Sequence, residues 1–137
     1  MRIILDTNIL LSALLSPHGA PAKLLEAWER KVFTIVTSAV LIAELRDVVS
    51  RPYFRTRLRP SAVELLTAGL RDLSFYCQDL PLGPVAPDPK DSYLLAMAEV
   101  SEAEFLVTGD KGLLSLKHHK STRIVTPAAM IGILKEG

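Results

Sequence analysis

The chain has 137 residues, of which 49% are hydrophobic and 23% are charged, with a formal net charge of +1. This composition predicts a single domain over residues 1–137, with enough apolar residues to build its own core. The near-neutral charge excludes nucleic-acid binding driven by bulk charge, so any basic surface has to be local. The single cysteine, Cys77, excludes an internal disulfide framework and a cysteine-rich zinc site.

The N-terminus carries no predicted signal peptide, because Asp6 interrupts the apolar run after only three residues. No apolar stretch approaches the roughly 20 residues that span a bilayer. We therefore expect a soluble, cytoplasmic protein with no membrane partner.

The first half of the chain alternates apolar strands with helical periods. The predicted elements are a strand at residues 2–5, helices at 7–15 and 21–30, a strand at 32–37 and a helix from 39 to about 50. Pro21 suits the first turn of the helix that it opens, and Ser38 is a preferred N-cap residue. Pro52 ends the last of these helices, because the residue before a proline disfavours the helical region.

The second half of the chain continues the alternation. The predicted elements are a helix at 60–73, strands at 74–78, 105–108 and 123–125, and helices at 91–100 and 127–134. The proline-rich segment 80–90 is interpreted as an internal loop, because too little chain lies on either side of it for two cores. Strands that alternate with helices predict an α/β fold, with a parallel sheet covered on both faces.

Two aspartates lie just after the ends of predicted strands. Asp6 interrupts the apolar run Ile3-Ile4-Leu5-Asp6-Thr7-Asn8-Ile9-Leu10-Leu11, and Asp110 follows the strand at 105–108 after one glycine. A carboxylate in an apolar run is costly to bury unless it has a partner. Since ligands bind beyond the carboxyl ends of parallel strands, both acids are predicted at the binding edge of the sheet.

Two further acids are predicted at the same edge. Asp91 begins a helix, whose N-terminus favours an anion. Glu44 lies between Val40 and Val48 at four-residue spacing, on an apolar line of a helix that follows the second strand. Each aspartate also has an ordinary interpretation: Asp6 and Asp91 as helix caps, and Asp110 as a turn residue. The coincidence of four acids at one edge favours a functional site.

Four converging carboxylates repel one another unless cations compensate their charge. Hard divalent ions such as Mg²⁺ and Mn²⁺ prefer oxygen ligands and retain some water. Such a site is best suited to phosphoryl transfer by metal-assisted hydrolysis.

Four stretches of the chain, taken together, resemble the motifs of the PIN-domain nucleases, especially the VapC-like toxins of bacterial and archaeal toxin–antitoxin pairs. The resemblance extends from about residue 2 to residue 133. The motif-like stretches are Leu5-Asp6-Thr7-Asn8, residues 38–45, residues 88–98 and Val107-Thr108-Gly109-Asp110, with Asp6, Glu44, Asp91 and Asp110 as their acids.

The resemblance implies a three-layer α/β/α sandwich around a central, mostly parallel sheet. It also implies an endoribonuclease that hydrolyses RNA phosphodiester bonds with Mg²⁺ or Mn²⁺, forms a homodimer and is blocked by a cognate antitoxin. Close relatives often carry a further acid two residues after the fourth motif, where this chain has Gly112. The sequence is therefore compatible with a site for one metal ion or for two.

The predicted roles differ among the acids. Asp6, Asp91 and Asp110 are expected to hold the principal metal, and Glu44 to orient or deprotonate the attacking water or to ligate a second ion. Asn8 and Thr108 are candidates for hydrogen bonds that fix the carboxylates, although either residue could also serve only its own turn.

Two alternative functions accompany this prediction. A PIN-fold RNA-binding or interaction module with weak or no turnover is favoured by Gly112. A haloacid-dehalogenase-like phosphohydrolase also begins from an acid after the first strand, but it needs a second acid where this chain has Asn8, and an amide cannot act as a general acid.

Overall fold

A computed structural model describes residues 1–136 of the chain. Its strands are β1 Arg2–Leu5, β2 Thr34–Ser38, β3 Phe75–Cys77, β4 Phe105–Val107, β5 His118–His119 and β6 Thr122–Val125. Its helices are α1 Thr7–Leu15, α2 Ala20–Glu29, α3 Ala39–Val49, α4 Pro52–Arg55, α5 Pro60–Asp72, α6 Ser92–Ser101, α7 Lys111–Leu116 and α8 Pro127–Glu136. A short 3₁₀ helix, Pro89–Asp91, leads directly into α6.

The strands form one sheet in the order β3-β2-β1-β4-β6-β5. All neighbouring pairs are parallel except β5 and β6, which form an antiparallel edge. Leu5 pairs with Val107, and Val107 pairs with Val125, so the strands end at the same level. The carboxyl ends of β2, β1, β4 and β6 therefore line a single edge of the sheet.

Helices flank this sheet in a three-layer α/β/α arrangement, which confirms the predicted fold class. Helix α6 packs across β1, β2 and β3, whereas α1 contacts α2 and α3, and α2 contacts α8. The core between the layers includes Leu10, Leu45, Leu94, Met97 and Leu106, all of them fully buried. The helices of residues 1–136 are too short or too polar to cross a bilayer, the longest being α5 with 13 residues.

Capping chemistry positions α3 at the carboxyl edge. Ser38 is the last residue of β2 and the N-cap of α3, and its Oγ accepts a hydrogen bond of 3.1 Å from the amide of Leu41. The same hydroxyl donates to the sulfur of Met97 on α6, at 3.3 Å. Ser38 thus ends β2, caps α3 and links both elements to α6.

Three short elements differ from the sequence prediction. Helix α4 begins at Pro52, which was predicted only to end α3, and α7 and β5 were not predicted at all. Four- and two-residue elements are too short for an apolar period to show. Helix α7 begins in a turn-like sequence and contains Gly112, a poor helix former, and both features hide it.

Candidate active site

Asp6 lies at the end of β1, where its amide still donates to the carbonyl oxygen of Val107 at 3.0 Å. Its side chain is only 5% exposed, and its Oδ2 accepts a 2.7 Å hydrogen bond from Thr108 Oγ1. Burial raises the pKa of Asp6, the hydroxyl of Thr108 opposes that rise, and the charge of Glu44 adds to it. Although Asp6 is the N-cap residue of α1, its side chain makes no capping hydrogen bond.

Glu44 points from α3 towards two hydroxyl groups on other elements. Thr7 Oγ1 donates to Glu44 Oε2 at 2.8 Å, and the hydroxyl of Tyr93 donates to the same oxygen. Burial and the hydrogen bond to Glu44 raise the pKa of Tyr93, so this hydroxyl keeps its proton and remains a donor. The glutamate on an apolar line therefore has the partners that its half-buried position requires.

Asp91 lies where the 3₁₀ helix meets α6, and its side chain does not cap α6. Burial is the largest cause that raises the pKa of Asp91 to about 6. The charges of four further acids add to the rise, in the order Asp6, Asp110, Asp88 and Glu44. The four acids predicted from the sequence therefore lie within one electrostatic neighbourhood.

Asp110 is the N-cap of α7, a role that the sequence pattern, whose ordinary interpretation here is a turn residue, does not predict. Its Oδ2 accepts a 2.8 Å hydrogen bond from the amide of Leu113, while its own amide donates to Thr108 Oγ1 at 3.0 Å. Thr108 therefore links Asp6 to the backbone of Asp110. A capping role and a place beside Asp91 are compatible, because the cap uses one carboxylate oxygen.

The two predicted supporting residues differ in their surroundings. Thr108 is fully buried between Asp6 and Asp110, whereas Asn8 is exposed and its side chain makes no hydrogen bond within residues 1–136. Nothing in the described structure thus supports a carboxylate-fixing role for Asn8. The residue that contacts a carboxylate is instead Thr7, between Asp6 and Asn8 in the sequence, and it donates its hydroxyl to Glu44.

Sequence reasoning did not single out Thr7 and Tyr93 as partners of Glu44. Each of them adjoins a predicted acid, since Thr7 follows Asp6 and Tyr93 is two residues beyond Asp91. In the sequence, these hydroxyl-bearing residues close to Asp6 and Asp91 are the only indication of a hydrogen-bonding role. It does not say which carboxylate receives the hydroxyl, because that depends on how α1, α3 and α6 pack.

Gly112 lies against Asp110 and the proline-rich segment. A Cβ atom added at this position would be 3.1 Å from Asp110 Oδ2 and 3.3 Å from Pro87 Cβ. Both distances are tight, so any side chain at residue 112 would require Asp110 or Pro87 to shift by a few tenths of an ångström. Asp88, the acid that follows Pro87, caps the 3₁₀ helix: its Oδ1 accepts a hydrogen bond from the amide of Lys90 at 3.1 Å.

The donor chemistry of the four acids fits a hard divalent cation, because all the available ligand atoms are carboxylate oxygens. The mutual repulsion that raises the pKa of Asp91 is also what a bound cation would relieve. In residues 1–136, no three acidic, histidine or cysteine side chains are close enough to share one ion as they stand.

The chain is similar to a known protein family and to individual proteins. The family model of the PIN domain matches residues 2–112. An uncharacterized protein of Methanocaldococcus jannaschii is 29% identical over 119 residues, which cover 85% of this chain and 76% of that protein. The crystal structure of VapBC2 from Rickettsia felis bound to a DNA fragment from their promoter contains a chain that matches with a TM-score of 0.61 and 18% identity, covering 92% of this chain and 98% of that chain. At 18% identity, the match to the VapBC2 chain shows a shared fold.

Proposed function

Because this chain belongs to the PIN domain family, we propose that it is an endoribonuclease that uses Mg²⁺ or Mn²⁺ and acts as the toxin of a VapC-like toxin–antitoxin pair. The observation that carries the proposal is a set of hydrogen bonds around Asp6: Thr108 Oγ1 donates to Asp6 and accepts from the amide of Asp110, and Thr7, the residue after Asp6, donates to Glu44. The charges of Asp6, Asp110 and Glu44, which add to the raised pKa of Asp91, support a shared site at the binding edge of the parallel sheet.

Asp6, Asp91 and Asp110 are the proposed ligands of the principal ion. When bound, the ion would lower the pKa of an attacking water and stabilise the charge that develops on the phosphate. Thr108 holds Asp6 through a hydrogen bond to Oδ2, and Leu113 holds Oδ2 of Asp110. These contacts leave the second oxygen of each carboxylate for a ligand role.

Glu44 is the proposed acceptor of the proton from the attacking water. Both of its hydroxyl partners, Thr7 and Tyr93, donate to Oε2. Its Oε1 accepts no hydrogen bond within residues 1–136, so this oxygen is available to orient a water or to accept its proton. Two donors on one oxygen also hold the carboxylate in a single orientation, which favours a positioned base.

A second candidate function is a PIN-fold RNA-binding or interaction module without turnover. Two observations favour it: the acids of residues 1–136 are too far apart to share an ion as they stand, and Pro87 crowds the position of Gly112. Such a module would bind RNA but release no metal-dependent product.

Cleavage of single-stranded RNA by purified Asp6→Asn and Asp91→Asn variants tests the nuclease. Each substitution keeps the size of the side chain but removes a charged ligand, so we expect cleavage to fall by roughly 100-fold or more. Asp72→Asn, at the exposed end of α5, is the matched control and should cleave like the wild type. EDTA should abolish cleavage by the wild type, and added Mn²⁺ should restore it.

Three results separate the candidates. Unchanged cleavage in both variants would refute the proposed site. Calorimetric binding of RNA without any Mn²⁺-dependent product would identify the module. Hydrolysis of a small phosphoester such as p-nitrophenyl phosphate would instead favour a phosphohydrolase.

The proposed partners are RNA, a cognate antitoxin and a second copy of the chain. The structural match to a VapBC2 chain is the support for the antitoxin. An apolar groove of about 650 Å³ between α2 and α5 provides a surface for one of the protein partners. Its rim includes Leu65 and Leu73, which are 75% and 71% exposed. An intracellular RNA substrate would also place the protein in the cytoplasm.

A further inference from the structure

A second cavity lies at the carboxyl edge of the sheet, beside the acids. It has a volume of about 410 Å³ and is enclosed by the start of α3, the segment that follows β3 and the first turns of α6. Its walls include Ser38, Val40, Gln78, Leu80, Pro84 and Tyr93. None of these residues except Tyr93 contacts a carboxylate of the proposed site.

The cavity adjoins the proposed reaction site through Tyr93. Tyr93 lines it and also donates its hydroxyl to Glu44, so a single side chain separates the two spaces. The proline-rich segment that forms the outer wall is fixed to α6 by a 2.9 Å hydrogen bond from the amide of Ala86 to Ser92 Oγ. The segment then continues to Pro87, next to Gly112 and Asp110.

The lining of the cavity suits a nucleobase and not a phosphate. It contains no lysine, arginine or histidine, and its one charged group is the carboxylate of Asp79. Val40, Leu80 and Pro84 supply apolar walls, and Tyr93 supplies an aromatic ring on which a base can stack. The amide of Gln78 can donate and accept, whereas the carboxylate of Asp79 only accepts.

The polar groups at the mouth of the cavity are free to bind a ligand. The side chains of Gln78 and Asp79 are exposed and take part in no hydrogen bond within residues 1–136. A carboxylate that only accepts favours the edge of adenine, cytosine or guanine, which presents an amino group. It disfavours the edge of uracil, where a single N3–H lies between two carbonyl oxygens that the carboxylate repels.

We propose that this cavity binds one nucleobase of single-stranded RNA beside the phosphate that is cut, and that Asp79 selects bases with an amino group against uracil. This inference rests on the proposed nuclease function and adds a specificity site to it. Phosphate contacts position a nucleic acid, whereas contacts to base edges specify its sequence.

Cleavage of an RNA pool with randomised positions tests the cavity, with sequencing of the products. Val40 is 46% exposed and lines the cavity, so Val40→Phe fills the space without disturbing the core. Val100 is 40% exposed on α6, away from the cavity, and Val100→Phe is the matched control. We expect Val40→Phe to flatten the base preference at one position and to lower kcat/KM on the preferred sequence about tenfold, with Mn²⁺ binding unchanged. Val100→Phe should change neither.

The polar contact is tested separately with Asp79→Asn, paired with the exposed control Asp72→Asn. An asparagine can donate as well as accept, so we expect cleavage beside uracil to rise relative to the other bases in Asp79→Asn only. Identical cleavage profiles for wild type, Val40→Phe and Asp79→Asn would overturn the proposal while leaving the nuclease intact. A change of oligomeric state in Val40→Phe, with no change of profile, would also overturn it and assign the cavity to a protein interface.

A binding measurement keeps the inference independent of turnover. Fluorescence anisotropy in EDTA would compare labelled oligo(A) and oligo(U) pentamers on the wild type and on Val40→Phe. Tighter binding of oligo(A) that Val40→Phe removes would support the base site, even if the wild type failed to cut RNA and the nuclease proposal were lost. Equal binding of both pentamers to the wild type would overturn it.

Discussion

Thr108 and Thr37 are both fully buried threonines near the carboxyl edge of the sheet, but their hydroxyl groups have opposite surroundings. Thr108 Oγ1 donates to Asp6 and accepts from the amide of Asp110. Thr37 Oγ1 has no hydrogen-bond partner within residues 1–136. A buried polar atom without a partner costs free energy, whereas one that satisfies a buried carboxylate stabilises the fold.

Replacement of each threonine by valine, which has nearly the same shape, should separate these two cases. Thr108→Val leaves the buried Asp6 carboxylate without its donor, so the free energy of unfolding should fall by about 2 kcal/mol. Thr37→Val removes an unpaired hydroxyl and should be neutral or stabilising. Urea denaturation measures both. Equal destabilisation by the two substitutions would show that the contact between Thr108 and Asp6 contributes nothing of its own.

At the scale of the element, two helical glycines have different neighbours. A Cβ atom at Gly69 on α5 would lie 2.9 Å from Cη2 of Trp28, which packs against the helix from α2. A Cβ atom at Gly132 on α8 would meet nothing within 4 Å. The contact of the Trp28 ring with α5 therefore depends on the missing side chain at Gly69.

Alanine at these two positions should have opposite effects on stability. Gly132→Ala gains helix propensity in an exposed position and should stabilise the protein by about 0.5–1 kcal/mol. Gly69→Ala gains the same propensity but displaces the Trp28 ring, and we expect a net loss of about 1 kcal/mol. Thermal denaturation checks the stabilities. Because Trp28 is the only tryptophan, its fluorescence should shift in Gly69→Ala alone, and an unshifted spectrum would argue against this packing.

The elements that the sequence predicted well are the long ones. Helices α1, α3 and α5 have clear start signals in a strand end, Ser38 and Pro60, and each continues for at least nine residues. Helix α7 has only six residues and begins at Asp110 in what looks like a turn. A short element derives its stability from packing against its neighbours, and a sequence pattern does not contain that information.

At the scale of the whole molecule, the order of the strands brings the acids together. Strands β1 and β4 are neighbours although about 100 residues separate them, and this places Asp6 and Asp110 on adjacent strand ends. Helix α6 packs across β1 and β2 and so brings Asp91 to the same edge. The negative charges of these carboxylates repel one another, and this repulsion destabilises the metal-free protein at neutral pH.

The pH dependence of stability should report this repulsion. The pKa of Asp91 rises from 3.8 to about 6 on folding, so the folded protein binds more protons between these values, and stability falls as pH rises through that window. The carboxylate is partly solvated, and solvent screening limits the loss to about 1 kcal/mol. In EDTA at pH 7, Asp91→Asn should therefore melt about 2–4 °C above the wild type, and the difference should vanish near pH 4.

Two controls accompany this measurement. Asp72→Asn should show no pH-dependent difference from the wild type, because Asp72 is exposed at the end of α5. Mn²⁺ at about 100 times its Kd should stabilise the wild type by about 2.7 kcal/mol, and Asp91→Asn by less. A wild type that is more stable than Asp91→Asn in EDTA at pH 7 would contradict the proposed repulsion.

Several properties of the whole chain stay predictions. These are the single domain over residues 1–137, the cytoplasmic location, the homodimer and the metal-ligand roles of Asp6, Glu44, Asp91 and Asp110. The experiments on the nuclease address the last of these directly.

The amino-acid sequence alone predicts the alternation of strands and helices, the α/β class and the positions of the four acids, which follow strands or lie within the first two turns of helices. Each of these follows from local signals: apolar period, proline, N-cap residues and strand ends. The contacts within the site need the folded chain: Thr7 and Tyr93 hold Glu44, Thr108 and not Asn8 supports Asp6, and Pro87 crowds Gly112. These contacts join residues far apart in the chain, and their geometry depends on how the helices pack on the sheet, which no local pattern encodes.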